Sequence, residues 1–356
     1  MRTPLWDVHV AAGATMTEFA GWDMPVRYGS ELAEHHAVRT AAGVFDLSHM
    51  GELELTGSDA AASLDAACVS RLSAIEVGRA KYTMLCDAAG GVLDDVIVYR
   101  QADERWLLVA NAANTAVVHA ALTDTLVGDT TLTDRSPDFA LLAVQGPDTN
   151  RLVAPLTDAD LAALRAFRGT AAQVAGHDVW LARTGYTGED GVEIYAPAAA
   201  AADLWHAVVA VGATPAGLAC RDTLRLEAGM PLYGHELSRQ RTPQAAGMGR
   251  IVDLDHAFVG RDALAAAGPP TEVLVGLVAD GRRAPRAGNA VITPGATRIG
   301  EVTSGALSPT LGHPIAMAYV AADHADTGTR LQVDVRGTAA TVDVVDLPFY
   351  RRAKRS

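Results

Sequence analysis

The sequence predicts an α+β protein of more than one domain that ends in a small all-β unit. At 356 residues, the chain is long enough for two or three hydrophobic cores. Residues 52–134 alternate strand and helix patterns around a Gly90-Gly91 turn, which is typical of helices packed on one face of an antiparallel sheet. From residue 273 onward, short apolar runs separated by Gly, Pro, Asp and Asn predict a β-barrel or β-sandwich.

The composition is that of a globular protein and narrows the possible functions. Hydrophobic residues make up 49% and charged residues 20% of the chain, and the formal net charge is −13. So acidic a chain disfavours nucleic-acid binding, since phosphate contacts need clustered Lys and Arg. No apolar run is long enough to cross a membrane, and residues 1–7 lack a signal-peptide core. These features predict a cytoplasmic protein that binds neither nucleic acid nor membrane.

Cysteine and histidine spacing predicts no metal site. The chain has three cysteines, Cys68, Cys86 and Cys220, and they lack CxxC spacing. His35 and His36 lie on a helix predicted at residues 31–40, after the N-cap candidate Ser30. Adjacent helical residues point in different directions, whereas a helical metal pair uses i and i+4 spacing.

Further elements follow from hydrophobic periodicity and turn residues. The first α+β unit shows the pattern strand, helix, strand, strand, helix, strand. Its predicted elements lie at residues 52–55, 60–67, 82–86, 92–99, 106–109 and 115–126, where 106–109 is a strand and 115–126 a helix. Beyond it, strands are predicted at 140–144, 179–182 and 192–195, and helices at 158–167, 198–211 and 221–229. The six C-terminal strands are predicted at 273–278, 290–292, 299–303, 316–320, 331–335 and 340–345. Asn111 and Asn114 follow a strand and precede a helix, which suits turn and cap residues.

Two adjacent carboxylates, Asp94 and Asp95, open the predicted strand at residues 92–99. Successive side chains of a strand point to opposite faces, so only one of the two can face a cavity. The alternative is that both are hydrated residues at a strand entry, since carboxylates are usually exposed. The pair is the main candidate for chemistry in this chain.

A second group of candidates follows a glycine-rich loop at residues 183–191. Glu193 lies on the strand after that loop and faces solvent or an arginine. Arg221 and Arg225 are four residues apart on a predicted helix and therefore share a face. They form either a surface network with glutamates or a ligand contact. The chain contains no GxGxxG, GxxxxGK[ST], HExxH or GxSxG motif, so flavin, nicotinamide, P-loop, zinc-protease and serine-hydrolase functions have no support.

The sequence segments that carry these candidate residues, taken in order along the chain, resemble those of one family, the aminomethyltransferase or T protein of the glycine cleavage system. The resemblance runs nearly end to end, through residues 3–5, 21–26, 45–50, 90–99, 183–193, 217–227, 232–237, 259–261 and 303–311. Each piece is short, but the set in this order is specific. Gln244-Ala245 stands where the family often has an acidic residue.

The resemblance implies a three-domain ring around a central opening that holds tetrahydrofolate as co-substrate. The expected domains are residues 1–50 with 137–243, a ferredoxin-like unit at 51–136, and a β domain at 244–356. The implied reaction moves the one-carbon unit of an aminomethyl-lipoyl group, carried by H protein, to tetrahydrofolate. Its products are 5,10-methylenetetrahydrofolate, ammonia and dihydrolipoyl H protein, and no metal, flavin or nicotinamide takes part.

The resemblance also assigns roles to individual residues. Asp95, rather than Asp94, matches the catalytic aspartate, Glu193 the pterin-binding carboxylate and Arg221 a ligand-contacting arginine. The remaining folate-cleft positions are Met50, Tyr82, Tyr99, Asn111 and Tyr186. The chemistry suits these roles: a carboxylate accepts the paired amino and ring N–H donors of a pterin, and tyrosines pack on its flat rings.

Two related functions remain as alternatives on the same fold. One is a tetrahydrofolate-dependent demethylase of the dimethylsulfoniopropionate type, and the other is a folate-binding protein of iron-sulfur assembly. For the second, a Lys-Gly-Cys type of signature is expected, and it is absent around Cys86 and Cys220. The basic C-terminus, which includes Arg351, Arg352 and Arg355, is either a solvated tail or a docking site for an anionic carrier.

Overall fold

In a computed structural model, which describes residues 1–352, two large β-sheets, a two-stranded hairpin and a closed barrel share one chain. The first sheet has six strands in the order β10-β11-β12-β9-β3-β13. It is antiparallel except for the parallel pair β3 and β13. Its strands are β3 Gly43–Asp46, β9 Phe139–Gln145, β10 Gly169–Val174, β11 His177–Ala182, β12 Gly191–Pro197 and β13 Thr214–Pro215.

Five helices and a two-stranded hairpin pack around the first sheet. The hairpin consists of β1 Thr15–Phe19 and β2 Trp22–Arg27. The helices are α1 Trp6–Ala11, α2 Glu31–Thr40, α5 Thr149–Val153, α6 Ala201–Ala210 and α7 Leu218–Glu227. Helix α2 begins as predicted, because the Ser30 hydroxyl accepts a bond from the Ala33 N–H at 3.3 Å.

The second sheet is five-stranded and carries the carboxylate pair. Its strand order is β5-β6-β7-β4-β8, and all neighbouring pairs are antiparallel. The elements are β4 Gly51–Thr56, α3 Ala60–Ala67, β5 Ala80–Cys86, β6 Val92–Ala102, β7 Arg105–Ala110, α4 Thr115–Thr123 and β8 Thr131–Asp134. The observed order has one more strand than the predicted one. Gly90 lies in the turn that connects β5 to β6, and its φ of 86° is a backbone conformation that favours glycine.

The C-terminal unit is a closed barrel, which confirms the predicted all-β end and selects the barrel over the sandwich. All six predicted strands are present, in the order β14-β17-β16-β15-β18-β19. They are β14 Glu272–Ala279, β15 Ala290–Ile292, β16 Arg298–Leu307, β17 Pro314–Ala321, β18 Arg330–Val335 and β19 Thr338–Val345, and a short helix, α8 Arg261–Ala266, precedes them. A core of inward-facing valines, leucines and alanines fills the barrel.

The prediction of a helix at residues 158–167 is wrong, because this segment is a series of turns. Two internal backbone bonds, from the N–H groups of Ala163 and Leu164 to the Asp160 carbonyl, form one turn that does not continue as a helix. The Asp160 carboxylate accepts from the N–H groups of Ala162 and Ala163, and Arg183 donates to the Leu161 carbonyl at 2.7 Å. Phe167, at φ of 57°, has left-handed backbone that ends any helix there.

A hydrophobic cluster joins the two sheets and positions the candidate site. It contains Phe45 and Leu141 from the first sheet and Tyr99 and Leu107 from the second. Because these side chains are buried between the sheets, side chains of β6 and β12 meet there, and the hydroxyls of Tyr99 and Tyr195 lie 3.0 Å apart. Within residues 1–352 no helix is long and apolar enough to span a membrane.

Candidate active site

A cavity of about 960 Å³ lies between the two sheets, α7 and the loops at residues 230–235 and 248–251. Seven of the eight predicted site residues line it: Met50, Tyr82, Asp95, Asn111, Tyr186, Glu193 and Arg221. A cavity of this size is large enough for a cofactor-sized ligand. In the described part of the chain, no group of three or more His, Cys, Asp or Glu side chains is arranged to hold a metal ion.

The alternation of β6 separates the two aspartates, as the sequence predicts. Asp94 is fully buried, away from the cavity, and accepts bonds from the Asn111 N–H at 3.0 Å, the Asn111 side chain at 2.9 Å and the Asn114 side chain at 2.7 Å. Asp95 faces the cavity. Asn111 and Asn114 stand at N-cap positions, as predicted, but neither side chain caps a helix, because both amides donate to the carboxylate of Asp94 on β6.

Asp95 is held by two donors of different kinds. The Tyr82 hydroxyl donates to Oδ2 at 3.0 Å and the Asn111 amide donates to Oδ1 at 3.0 Å. Burial raises the pKa of Asp95 to about 6, although both bonds act in the opposite direction. Burial and the neighbouring Asp95 charge also raise the pKa of Asp94. Because its pKa is raised to about 6, Asp95 can accept and return a proton near neutral pH.

Glu193 projects into the cavity from β12 with one oxygen occupied and the other free. Its Oε2 atom accepts bonds from the hydroxyls of Thr184 at 2.5 Å, Tyr99 at 3.2 Å and Tyr195 at 3.3 Å. Within residues 1–352 no donor reaches its Oε1 atom. The three hydroxyls fix the carboxylate, and Oε1 is left for a ligand donor.

Tyr99 does not line the cavity, which corrects the expectation that it packs on a ligand ring. Its side chain is completely buried between the sheets, and its hydroxyl is used by Glu193, Thr184 and Tyr195. Tyr99 therefore positions Glu193 from behind. Thr184 and Tyr195 were missed by sequence reasoning. Tyr195 could have been found, because it lies two residues from Glu193 on the same face of a strand.

Arg221 and Tyr186 form the wall next to Glu193. The Arg221 guanidinium lies 4.8 Å from the centre of the Tyr186 ring, and the Tyr186 hydroxyl donates to the Pro231 carbonyl. In the described chain no acceptor pairs with the guanidinium by a hydrogen bond or ion pair. Burial lowers its pKa, yet the group stays charged at neutral pH because an arginine pKa lies far above 7.

Arg225 belongs to a buried network and not to a surface one. It is 1% exposed, and its nitrogens donate to Glu236 at 2.9 Å, to Ser304 at 2.8 Å and to Asp222 at 2.8 Å. The contact with Ser304 joins α7 to the barrel. The surface-network alternative is therefore wrong for Arg225, because bonds to Asp222, Met230, Glu236 and Ser304 use four of its five N–H donors within the protein.

The C-terminal segment returns from the barrel to the first sheet. The Tyr350 ring lies 4.1 Å from the Arg39 guanidinium, and Arg352 forms an ion pair with Asp190 at 2.9 Å on the cavity rim. Arg351 is exposed. Arg355, the third basic residue of the predicted docking tail, lies outside the described residues.

The cavity brings together a buried carboxylate from each sheet, Asp95 and Glu193, as in the active site of an enzyme. Two family models match, the GCVT N-terminal domain over residues 5–256 and the glycine cleavage T-protein C-terminal barrel domain over residues 273–351. The chain therefore belongs to the glycine cleavage T-protein family, the aminomethyltransferases of the glycine cleavage system.

Individual relatives match this chain over nearly its full length. A Saccharopolyspora erythraea aminomethyltransferase is 58% identical, covering 99% of this chain and 98% of the relative. One from Geobacillus kaustophilus is 45% identical, covering 99% of each. The crystal structure of glycine cleavage system aminomethyltransferase T from Bartonella henselae superposes with a TM-score of 0.94 at 33% identity, covering 99% of both chains.

Proposed function

We propose that this chain transfers the one-carbon unit of an aminomethyl-lipoyl group to tetrahydrofolate. The donor is the lipoylated H protein of the glycine cleavage system, in the cytoplasm. The methylene carbon exchanges its bonds to sulfur and to the amino nitrogen for bonds to N5 and N10 of the folate. The two protons that leave N5 and N10 balance the thiol of the dihydrolipoyl arm and the released ammonia. No metal, flavin or nicotinamide is needed.

One observation carries this proposal: a single cavity joins Asp95 on β6 to Glu193 on β12. The first carboxylate has a pKa raised to about 6, and the second has an oxygen without a donor in the described chain. A ligand that presents donors at one end and proton-exchanging nitrogens at the other would satisfy both. Tetrahydrofolate has this combination.

Glu193 recognises the pterin in this proposal. Reduced pterins present an exocyclic amino group and a ring N–H on one edge, and a carboxylate accepts such paired donors well. Oε1 is open to the ligand, and the hydroxyls of Thr184 and Tyr195 fix the orientation of the group. Arg221 and the ring of Tyr186 form the adjoining wall, and Met50 adds an apolar contact.

Asp95 handles the protons and the developing positive charge. A carboxylate beside N5 and N10 stabilises the cationic carbon–nitrogen group that forms as the carbon is transferred, and it accepts a departing proton. Tyr82 and Asn111 hold it in one orientation through bonds at 3.0 Å each. Positioning the two large substrates on one carbon supplies much of the remaining acceleration.

A turnover experiment tests the proposal. The protein is incubated with aminomethylated lipoyl carrier and tetrahydrofolate, and 5,10-methylenetetrahydrofolate and ammonia are quantified together. The two products are expected in equal amounts. Formation of a methylated folate from dimethylsulfoniopropionate, with no product from the carrier, would show instead the demethylase activity.

A further inference from the structure

His49 is a histidine on the cavity wall that the proposed mechanism does not use. It lies in the turn between β3 of the first sheet and β4 of the second. The residue is 4% exposed and lines the same cavity as Asp95 and Glu193. The Phe19 ring packs edge-on against it, with ring centres 5.7 Å apart, so the imidazole is held in place.

The imidazole is neutral and has an unsatisfied nitrogen. Burial, together with the positive charge of Arg221, lowers the pKa of His49 to about 4, although the Asp46 charge acts in the opposite direction. Its Nδ1 atom is buried without a partner in the described chain. A buried, unpaired N–H is costly, so the favoured tautomer keeps the proton on Nε2. Nε2 is the nitrogen left to reach the cavity, where it is a donor.

His49 and Arg221 together present donors to the cavity. Arg221 acts electrostatically on His49 and on Glu193, so the three side chains lie in one region of the site. No described residue supplies an acceptor for either donor. The ligand group that fits them is an oxygen acceptor beside the donors that Glu193 binds.

We propose that His49 Nε2–H, alongside Arg221, donates a hydrogen bond to the 4-oxo oxygen of the bound pterin, an assignment that rests on the proposed function. In a reduced pterin this carbonyl is the group next to the ring N–H that faces Glu193. Its oxygen has two lone pairs and can accept from both donors. His49 then selects 4-oxo pterins over 4-amino pterins, because a 4-amino group places a donor against Nε2–H. Moving the proton to Nδ1 would leave a buried, unpaired donor.

Calorimetric titration of the His49→Phe variant with tetrahydrofolate and with its 4-amino analogue tests this assignment. Phenylalanine keeps the ring contact with Phe19 and removes both nitrogens. The Kd for tetrahydrofolate is expected to rise about threefold to tenfold, the range for one neutral hydrogen bond, while the Kd for the 4-amino analogue stays within about twofold. An equal change for both ligands, or no change for either, overturns the assignment.

His256→Phe is the matched control. His256 also has a buried Nδ1 without a partner in the described chain, and it contacts Phe258, but it does not line the cavity. Its substitution is expected to leave both Kd values unchanged. If His49→Phe does not fold, the pair His49→Gln and His49→Met gives the same comparison, since only glutamine keeps a donor. A wild-type protein that binds neither ligand overturns the proposed function, and this assignment with it.

Discussion

Replacing Glu193 by glutamine is expected to convert the ligand-facing acceptor of the folate site into a donor. The hydroxyls of Thr184, Tyr99 and Tyr195 all bond to Oε2, so the glutamine oxygen takes that place and its NH₂ group takes the place of Oε1. The amide would then face the paired pterin donors. The buried hydroxyls keep their acceptor, so the fold is expected to survive.

The size of the effect follows from the bond that is lost. A hydrogen bond to a charged group contributes about 1.5–3 kcal/mol, which corresponds to a rise in the Kd for tetrahydrofolate of roughly 10-fold to 150-fold. Calorimetric titration measures the Kd, and thermal unfolding without ligand checks the fold. Glu54→Gln is the matched control, because Glu54 pairs with Arg105 and Arg135 away from the cavity. A Kd for Glu193→Gln within twofold of wild type would refute the pterin assignment.

Four further predictions address the other groups. Asp95→Asn should lower kcat by about 10²–10⁴-fold and leave the Kd for tetrahydrofolate nearly unchanged, measured by single-turnover kinetics and calorimetry. Since burial raises the pKa of Asp95 to about 6, the wild-type rate should fall about tenfold per pH unit below that value as the carboxylate is protonated, and a flat profile would contradict the assigned role. Asp94→Asn should lower the free energy of unfolding by about 1–3 kcal/mol, because the new NH₂ group faces the donors of Asn111 and Asn114; an unchanged denaturant midpoint would disagree. Arg352→Ala should raise the KM for the carrier up to about fivefold at low salt and little at high salt, and a salt-independent KM would remove the docking role.

The sequence predicted the class of fold well wherever the pattern was local. The six barrel strands were found because each is a short apolar run between turn residues, and α2 was found because Ser30 supplies a cap. The turns at residues 158–167 were predicted as a helix because alanine and leucine favour helices. What overrides that propensity is a side-chain contact from Arg183, which lies on a distant part of the chain.

The candidate site was predicted in part. The alternation of β6 is a local rule, and it correctly separated Asp94 from the cavity-facing Asp95. The bond from Tyr99 to Glu193 and the position of His49 could not be predicted, because they depend on how the two sheets pack together. Periodicity assigns residues to faces, but it does not say which face meets which.

The most direct test of the account is ammonia release from aminomethylated lipoyl carrier, measured with and without tetrahydrofolate. The account predicts rapid release with tetrahydrofolate, matched by 5,10-methylenetetrahydrofolate, and release that is slower by orders of magnitude without it. Equal rates in the two reactions, or release without a folate product, would contradict the claim that the cavity between Asp95 and Glu193 holds the acceptor of the one-carbon unit.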